Sequence, residues 1–297
     1  KSLNIYLNKI LETKNVDYVI ASDTDSVYIT FDKLVTKLFP EGTSTEKVIN
    51  FLDKIANEKL EPFIDKSYQH LAGEMNAYDQ KMQMAREAIA DKGIWTAKKR
   101  YILNVWDMEG VRYKEAKLKI MGIEAVKSST PAPCREKIKQ ALKIIMNGDE
   151  KMLNTFIKEF REEFMNLSPE EIAYPRSVNG LEKFAGESTL FAKGAPIHCK
   201  GAILYNHLIK KNKLENKYQL IQNGDKIRFL HMRQPNVFQS SAFSFMTEVP
   251  KELDISNKID YDMQYEKSFI EPLKVITEKI NWLISYGAQS TLEDFFG

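Results

Sequence analysis

Two aspartates separated by a single residue are the part of this sequence best suited to chemistry. Asp23 and Asp25 lie in a tight turn predicted over residues 21–25, which joins two runs rich in β-branched and aromatic residues, 16–20 and 26–31, that predict strands. Like charges at a hairpin tip repel, and a divalent cation would relieve that repulsion because Mg²⁺ and Mn²⁺ prefer oxygen ligands. An Asx-type turn, in which the aspartates bond their own backbone, explains the same residues. The hairpin alone leaves both interpretations open.

The elements around this hairpin follow from the spacing of apolar residues. Helical spacing predicts helices over residues 3–11, 48–60, 132–146, 152–164, 201–211 and 259–284. Pro62 is expected to bend or interrupt the second of these helices. Strands are predicted over 82–90, 97–107 and 111–121, a loop over 168–196, and a hairpin turning at 223–225. This order predicts an α+β fold, in which antiparallel strands with helices are followed by a mostly helical part after Gly122.

Composition limits the function classes. A chain of 297 residues with 43% hydrophobic content is long enough for two domains. Cys134 and Cys199 offer neither metal-binding spacing nor a disulfide framework, and no apolar run approaches membrane-spanning length. The net charge is only +2, yet the window from Lys92 to Lys139 holds 12 Lys/Arg against 5 Asp/Glu. A positive strip on a nearly neutral chain predicts contact with a phosphate backbone.

Within that strip, four consecutive residues combine positive charge with an aromatic ring: Lys98, Lys99, Arg100 and Tyr101. If they lie on a strand, alternation places Lys99 and Tyr101 on the same face as two apolar residues further along, Leu103 and Val105.

The order and spacing of these motifs resemble the family B DNA polymerases, most closely those of tailed bacteriophages. The resemblance rests on residues 23–26, 86–90, 98–101, 104–110, 119–122, 127–131 and 196–201. It implies that residues 1–122 are the remainder of a palm domain, 123–286 a thumb domain and 287–297 a clamp-binding tail. The exonuclease domain, the first palm aspartate and the fingers of that family are not found in this sequence. We therefore expect a C-terminal portion of a polymerase.

The resemblance also implies roles for the acidic residues. Asp25 is expected to be the catalytic metal ligand, with Asp23 in a supporting role and Glu87 near the metals or the departing pyrophosphate. Two Mg²⁺ ions, which Mn²⁺ can replace, would serve the complete enzyme and its dNTP substrate. On the hairpin residues alone, the turn interpretation of Asp23 and Asp25 remains equally open.

The basic residues are expected to hold primer–template DNA. By resemblance, Lys98, Lys99 and Arg100 contact the minor groove or backbone near the primer end, and Tyr101 contacts the primer terminus. The remaining expected DNA contacts lie at the entry to the thumb and within it: Lys127, His198 and Lys200. Lysine at 200 replaces an arginine of the family motif, which keeps the charge but loses the bidentate fork.

The C-terminal residues match a clamp-binding pattern of glutamine, an aliphatic residue and paired aromatics. Gln289, Leu292, Phe295 and Phe296 are the matching positions. Apolar residues at a chain end have little structural purpose of their own, because termini are usually solvated. We expect them to bind a sliding clamp, whereas folding back on the thumb is the alternative.

Together these features predict a portion of a DNA-directed DNA polymerase that is inactive alone and acts in the cytoplasm of an infected bacterium. Its expected partners are primer–template DNA, a sliding clamp and the missing N-terminal portion, and no membrane. The alternative is a non-catalytic, clamp-tethered module that binds duplex DNA, in which Asp25 has lost its catalytic role.

Overall fold

The computed structural model describes residues 1–186 and 189–285. The chain divides into two compact units, Lys1–Lys119 and Ile120–Gly297. Each unit mixes helices with antiparallel strands, so the predicted α+β class is confirmed. No helix in the described ranges is long and apolar enough to cross a membrane.

The first unit contains four helices and five strands. The helices are α1 Ser2–Ile10, α2 Asp32–Leu38, α3 Thr45–Ile55 and α4 Glu61–Glu74. The strands are β1 Val19–Asp23, β2 Ser26–Ile29, β3 Ala88–Ala97, β4 Arg100–Met108 and β5 Val111–Met121, the last of which reaches the boundary between the units. A small core of Leu7, Tyr18, Ala56 and Leu60 joins α1 and the α3–α4 region to the start of β1.

The strands β1 and β2 form the predicted hairpin, with Asp23 paired to Ser26 and a turn at Thr24 and Asp25. The turn is narrower than the sequence predicts, since Ala21 and Ser22 already belong to β1. Asp23 therefore ends a strand, whereas Asp25 lies in the turn.

The strands β3, β4 and β5 form a separate three-stranded sheet in that order. Tyr101, Leu103 and Val105 share one apolar face, as alternation predicts. The predicted strand over 82–90 is wrong in position, because β3 begins only at Ala88. Likewise, Lys98 and Lys99 are not strand residues: they form the β3–β4 turn, and Lys99 adopts a left-handed φ of 60°.

Pro62 changes the helix without ending it. The π-helical turn Ala56–Leu60 connects α3 directly to α4, which carries Pro62 in its first turn. A proline ring clashes with the carbonyl four residues earlier, and a widened turn moves that carbonyl away. The same solution recurs in the second unit, where the π-helical turn Glu266–Ile270 precedes Pro272.

The second unit contains seven further helices and three strands among its described residues. The helices are α5 Ala132–Asn147, α6 Glu150–Met165, α7 Pro169–Ile172, α8 Leu181–Phe184, α9 Ile197–Lys211, α10 Tyr261–Tyr265 and α11 Glu271–Thr277. The strands are β6 Tyr174–Ser177, β7 Lys226–His231 and β8 Ala242–Phe245. The long helices agree with the predicted ones, and the last, predicted to reach 284, ends with a 3₁₀ turn at Glu278–Ile280.

Aromatic side chains fill the core between the long helices of the second unit. Phe160 and Phe164 of α6 pack against Tyr265 and Phe269, with ring centroids between 4.7 and 5.8 Å apart. All four residues are at most 1% exposed. Their burial stabilises the unit by about 1.5–3 kcal/mol for each side chain.

Two predictions for the second unit are wrong. The segment predicted as a loop over 168–196 contains β6 and two short helices. The turn at residues 223–225 does not join a hairpin: Gly224 donates its N–H to the carbonyl of Val178, which aligns β7 with β6. The partner strand lies far upstream in a Pro- and Gly-containing segment, so local patterns did not reveal it.

Candidate catalytic site

The carboxylate of Asp23 closes the turn of the β1–β2 hairpin. Its Oδ1 accepts hydrogen bonds from the backbone N–H of Thr24 at 2.9 Å and from the Thr24 hydroxyl at 3.3 Å. The backbone bond is the largest cause of a lowered pKa for Asp23, and the charge of Lys99 adds to it. For Asp23 the structure therefore favours the turn role that the sequence left open.

Asp25 differs from Asp23 because its side chain is exposed in the turn. Its carboxylate makes no ion pair with any residue that the structure describes, so it is accessible to a ligand from outside. Across the described ranges, no three His, Cys, Asp or Glu side chains gather in a group that could hold a metal ion. The donor type of Asp25 suits Mg²⁺, but a complete ligand set needs carboxylates from beyond the described residues.

The basic turn lies beside this acidic hairpin. The ammonium of Lys99 is 3.9 Å from Oδ2 of Asp23, and the charge of Lys98 also lowers the pKa of Asp23. The two motifs are far apart in sequence, and the structure brings Asp23 and Lys99 together within the first unit. Lys98 and Lys99 are exposed, which leaves their charges available to an anionic ligand.

An aromatic cluster fixes the hairpin to the basic turn. The ring of Tyr28 lies 5.4 Å from those of Trp95 and Tyr101 in edge-to-face contacts. A Cβ at Gly93 would come within 2.7 Å of the Trp95 ring, so the missing side chain makes room for the cluster. Trp95 and Tyr101 also oppose each other across β3 and β4. Edge-to-face pairs contribute about 0.5–1.5 kcal/mol each beyond their burial.

Tyr101 is a packing residue in this cluster, since only 8% of it is exposed. Burial, followed by the hydrogen bond with Tyr28, raises its pKa. The charges of Glu87 and Asp23 act in the same direction, which places both carboxylates in the electrostatic environment of the phenol. Contact between Tyr101 and a primer terminus remains a prediction.

Glu87 lies just before β3, and hydrogen bonds fix the backbone at Glu87 and at the residue before it. The N–H of the preceding residue, Arg86, donates to Oε1 of Glu61 at 2.8 Å, and the carbonyl of Glu87 accepts from Glu109 at 2.7 Å. Its carboxylate pairs with the ammonium of Lys119, although 53% of the Glu87 side chain is exposed. The structure thus presents Glu87 at the surface with a cationic partner.

A buried ion cluster beside Glu87 was missed by the sequence analysis. Asp107 of β4 has a fully buried side chain that pairs with Arg86 and lies 2.5 Å from Nε of Arg112. Both arginines also pair with Asp53 of α3, at 2.8 Å and 3.3 Å. An aspartate within the largely buried strand β4 is the sequence signal that such partners are needed.

In the second unit, Lys127 borders a cavity of about 310 Å³ that is rich in positive charge. The ammonium of Lys127 pairs with Glu124 at 2.8 Å. Arg176 lines the same cavity, donates to the carbonyl of Ser129 at 3.1 Å and lies over the ring of Phe229. The lining also includes the acidic Glu124 and the polar residues Ser129, Thr130, Tyr174, His231, Lys267 and Ser268. Of these residues, only Lys127 was predicted from the sequence.

The predicted thumb residues His198 and Lys200 lie in the first turn of α9, and both are partly buried. Burial, with a contribution from the charge of Arg176, lowers the pKa of His198. A Cβ at Gly201 would come within 2.4 Å of the Ser244 hydroxyl, so glycine permits the close approach of α9 to β8. The clamp-binding positions Gln289, Leu292, Phe295 and Phe296 lie outside the described residues.

The chain is related to known proteins along its whole length. It is 36% identical over 310 aligned positions to the DNA-directed DNA polymerase of Escherichia phage RB69, and 32% identical to that of Enterobacteria phage T4. Both alignments include all of this chain and 34% of the relative, so the chain spans about a third of the length of these polymerases. No protein-family profile matches the sequence.

The resemblance indicated by the motifs is therefore confirmed: the chain matches a part of the phage DNA-directed DNA polymerases. The matched part carries the acidic hairpin, the basic turn and Glu87.

Proposed function

We propose that this chain contributes part of the catalytic site and the duplex-holding surface of a DNA-directed DNA polymerase of family B, which copies bacteriophage DNA in the host cytoplasm. The observation that carries the proposal is the 3.9 Å approach of Lys99 to Asp23. It joins an acidic hairpin and a basic turn in one place, in a chain related to phage polymerases throughout.

Asp25 is the residue proposed to act in nucleotidyl transfer. Its exposed carboxylate can take part in binding Mg²⁺ together with carboxylates supplied by the rest of the polymerase. Bound Mg²⁺ would activate the primer 3′-hydroxyl and neutralise charge on the departing pyrophosphate. Asp23 keeps the turn in shape through Thr24, and Glu87 supplies a further negative charge near Tyr101.

The basic turn is proposed to hold the end of the primer–template duplex. Lys98 and Lys99 are exposed and carry charge without the rigid fork of arginine, which suits contacts to phosphates and to minor-groove acceptors. The buried ring of Tyr101 packs against Tyr28 of the hairpin, and this contact holds β4 and the adjoining basic turn in place. The turn can therefore grip a duplex without reading its sequence.

The second unit is proposed to act as the thumb and hold duplex phosphates. Support comes from the concentration of cations around its cavity, where Lys127, Arg176 and Lys267 meet hydroxyl groups of Ser129, Thr130 and Ser268. Hydroxyls and cations are common donors to phosphate oxygens. The residues from Gln289 onwards are proposed to tether the polymerase to a sliding clamp, which would raise its effective concentration at the primer end.

A primer-extension assay distinguishes this proposal from the non-catalytic alternative. The isolated chain should incorporate no dNTP, since the residues that the structure describes do not supply a complete ligand set for the metal. Addition of the remaining polymerase portion should restore Mg²⁺-dependent synthesis. Synthesis that is equally fast with Asp25→Asn would show that the chain is an accessory DNA-binding module.

A further inference from the structure

Helix α4 differs from the other long helices because not one of its 14 residues is buried. Its contacts lie at its beginning: Glu61 accepts the N–H of Arg86 at 2.8 Å, and Phe63 stacks on Tyr6 with ring centroids 4.0 Å apart. A helix of this length extends for about 21 Å, at 1.5 Å per residue. The second half of α4, where Gln69, His70 and Leu71 are exposed, extends beyond these contacts.

Helix α4 has an apolar stripe. Ile64, Tyr68, Leu71 and Met75 follow one another at intervals of four, three and four residues, which places them on one side of the helix. Leu71 is 45% exposed and Met75 is 73% exposed. Two further exposed apolar side chains, Tyr78 and Met82, continue the series beyond the helix. Ile64 and Tyr68 are partly buried, so the exposed part of the series runs from Leu71 to Met82. An exposed apolar series of this kind marks an interaction surface.

The charge of α4 indicates which kind of partner fits. Glu61, Asp65 and Glu74 outweigh Lys66, the one lysine of the helix, and Glu74 lies 3.6 Å from His70. Excess negative charge repels nucleic acid and anionic lipid headgroups. The surface is therefore suited to another protein surface.

The small core of the first unit indicates which protein. Only 10 apolar residues up to Lys119 are buried, compared with 40 in the described part of the second unit. Most of the length of the phage polymerases lies outside the match to this chain. The first unit thus has apolar surface to cover, and the polymerase family has the additional polypeptide to cover it.

We propose that the apolar stripe of α4, with Tyr78 and Met82, is the docking surface for the part of the polymerase that this chain does not span. The proposal rests on the proposed polymerase function. Docking buries the stripe against an apolar surface of that part and completes the core of the first unit.

Calorimetric titration of the full chain with the remaining polymerase portion, supplied as a separate polypeptide, tests the proposal. The stripe variant Tyr68→Ser with Leu71→Ser and Met75→Ser should bind at least tenfold more weakly than the unchanged chain. The matched control is Val237→Ser with Met263→Ser and Leu283→Ser, three exposed apolar residues of the second unit, which should bind within twofold. Circular dichroism checks that both variants fold.

Hydrogen exchange of the unchanged chain gives a second measurement that does not depend on the variants. Amides of residues 64–82 should gain protection when the complex forms. The proposal would be overturned if the unchanged chain did not bind, or if the stripe variant bound equally well. It would also be overturned if residues 64–82 gained no protection, or if this chain formed a dimer that buries the stripe. Asp25→Asn separates the two claims, because it should remove synthesis and leave docking unchanged. If the unchanged chain docked but the complex made no DNA, the result would count against the proposed polymerase function and would leave the docking proposal standing.

Discussion

The ammonium of Lys99 lies 3.9 Å from a carboxylate oxygen of Asp23, although Asp23 ends a strand of one sheet and Lys99 lies in a turn of another. Lys99 can reach the hairpin because the β3–β4 turn places it in a left-handed conformation, with φ of 60°. The aromatic contact between Tyr28 and Tyr101 holds the two sheets at this point. The acidic and basic motifs therefore form one site by packing of the first unit.

The first prediction concerns the pKa of Asp23. Lys99→Met should raise that pKa towards the ordinary aspartate value, because the opposite charge that favours the ionised carboxylate is removed. The rise should be partial, since the Thr24 N–H still bonds the carboxylate. Carboxyl-selective NMR titration measures the change, and Lys98→Met is the control with a smaller expected effect. An unchanged titration in Lys99→Met would show that the two groups do not interact in solution.

The second prediction concerns the stability of the first unit. Arg86→Met leaves the buried carboxylate of Asp107 with Arg112 and the N–H of Gly110 as its remaining partners among the described residues. Breaking a buried ion pair costs about 3–5 kcal/mol, and the remaining partners place the expected loss near 3 kcal/mol. Urea unfolding monitored by tryptophan fluorescence measures it.

The control for this prediction is an exposed ion pair in the same unit. Lys54 and Glu58 lie 3.9 Å apart with both side chains more than half exposed. Lys54→Met should therefore change the free energy of unfolding by less than about 1 kcal/mol. Equal losses in Arg86→Met and Lys54→Met would contradict the structural role of the buried cluster.

The third prediction concerns duplex DNA. Binding should be independent of sequence and should weaken steeply with salt, because each neutralised phosphate contributes about −0.9 to the log–log slope. Replacing Lys98, Lys99 and Lys127 with alanine should make this slope shallower. Fluorescence anisotropy with a labelled duplex measures both effects. The matched variant, in which alanine replaces the exposed Lys210, Lys211 and Lys226, should retain the original slope. A slope that changes equally in both variants would argue against a defined duplex-binding surface.

The fourth prediction concerns the last nine residues. A peptide of residues 289–297 should bind its cognate sliding clamp with roughly micromolar affinity, because ordering a short segment offsets part of the gain from burial. Phe295→Ala with Phe296→Ala should abolish binding, since a few aromatic anchors usually dominate such interfaces. Glu293→Ala should have little effect. Calorimetry decides, and unchanged binding of the double variant would refute the assignment of these anchors.

Several parts of this structure follow from local sequence patterns. Apolar spacing located α5, α6 and α9, and β-branched runs located the hairpin around Asp23. Local patterns failed where distant residues decide the structure. The strand β6 forms because it pairs with β7, which lies far along the chain. The strand β3 continues to Ala97, beyond the predicted end at residue 90, and so places Lys98 and Lys99 in the turn that follows it.

The same distinction holds for the candidate site. Residue types identified Asp25 and Lys99 as chemically suitable, whereas Glu87 came from the resemblance to family B polymerases. The packing of Tyr28, Trp95 and Tyr101 brings the hairpin and the basic turn together. The ion cluster of Asp107 was predictable only in part. A buried charge needs partners, but the amino-acid sequence does not show that Arg86 and Arg112 are the partners of Asp107.

Primer extension with Asp25→Asn tests the central claim most directly. The variant keeps the size of the side chain and removes its charge, and Asp32→Asn, at an exposed position near the hairpin, serves as the control. In the presence of the remaining polymerase portion and Mg²⁺, we expect synthesis to fall by at least a thousandfold in Asp25→Asn and to stay within twofold in Asp32→Asn. Synthesis by Asp25→Asn at the rate of the unchanged chain would contradict a catalytic role for this hairpin.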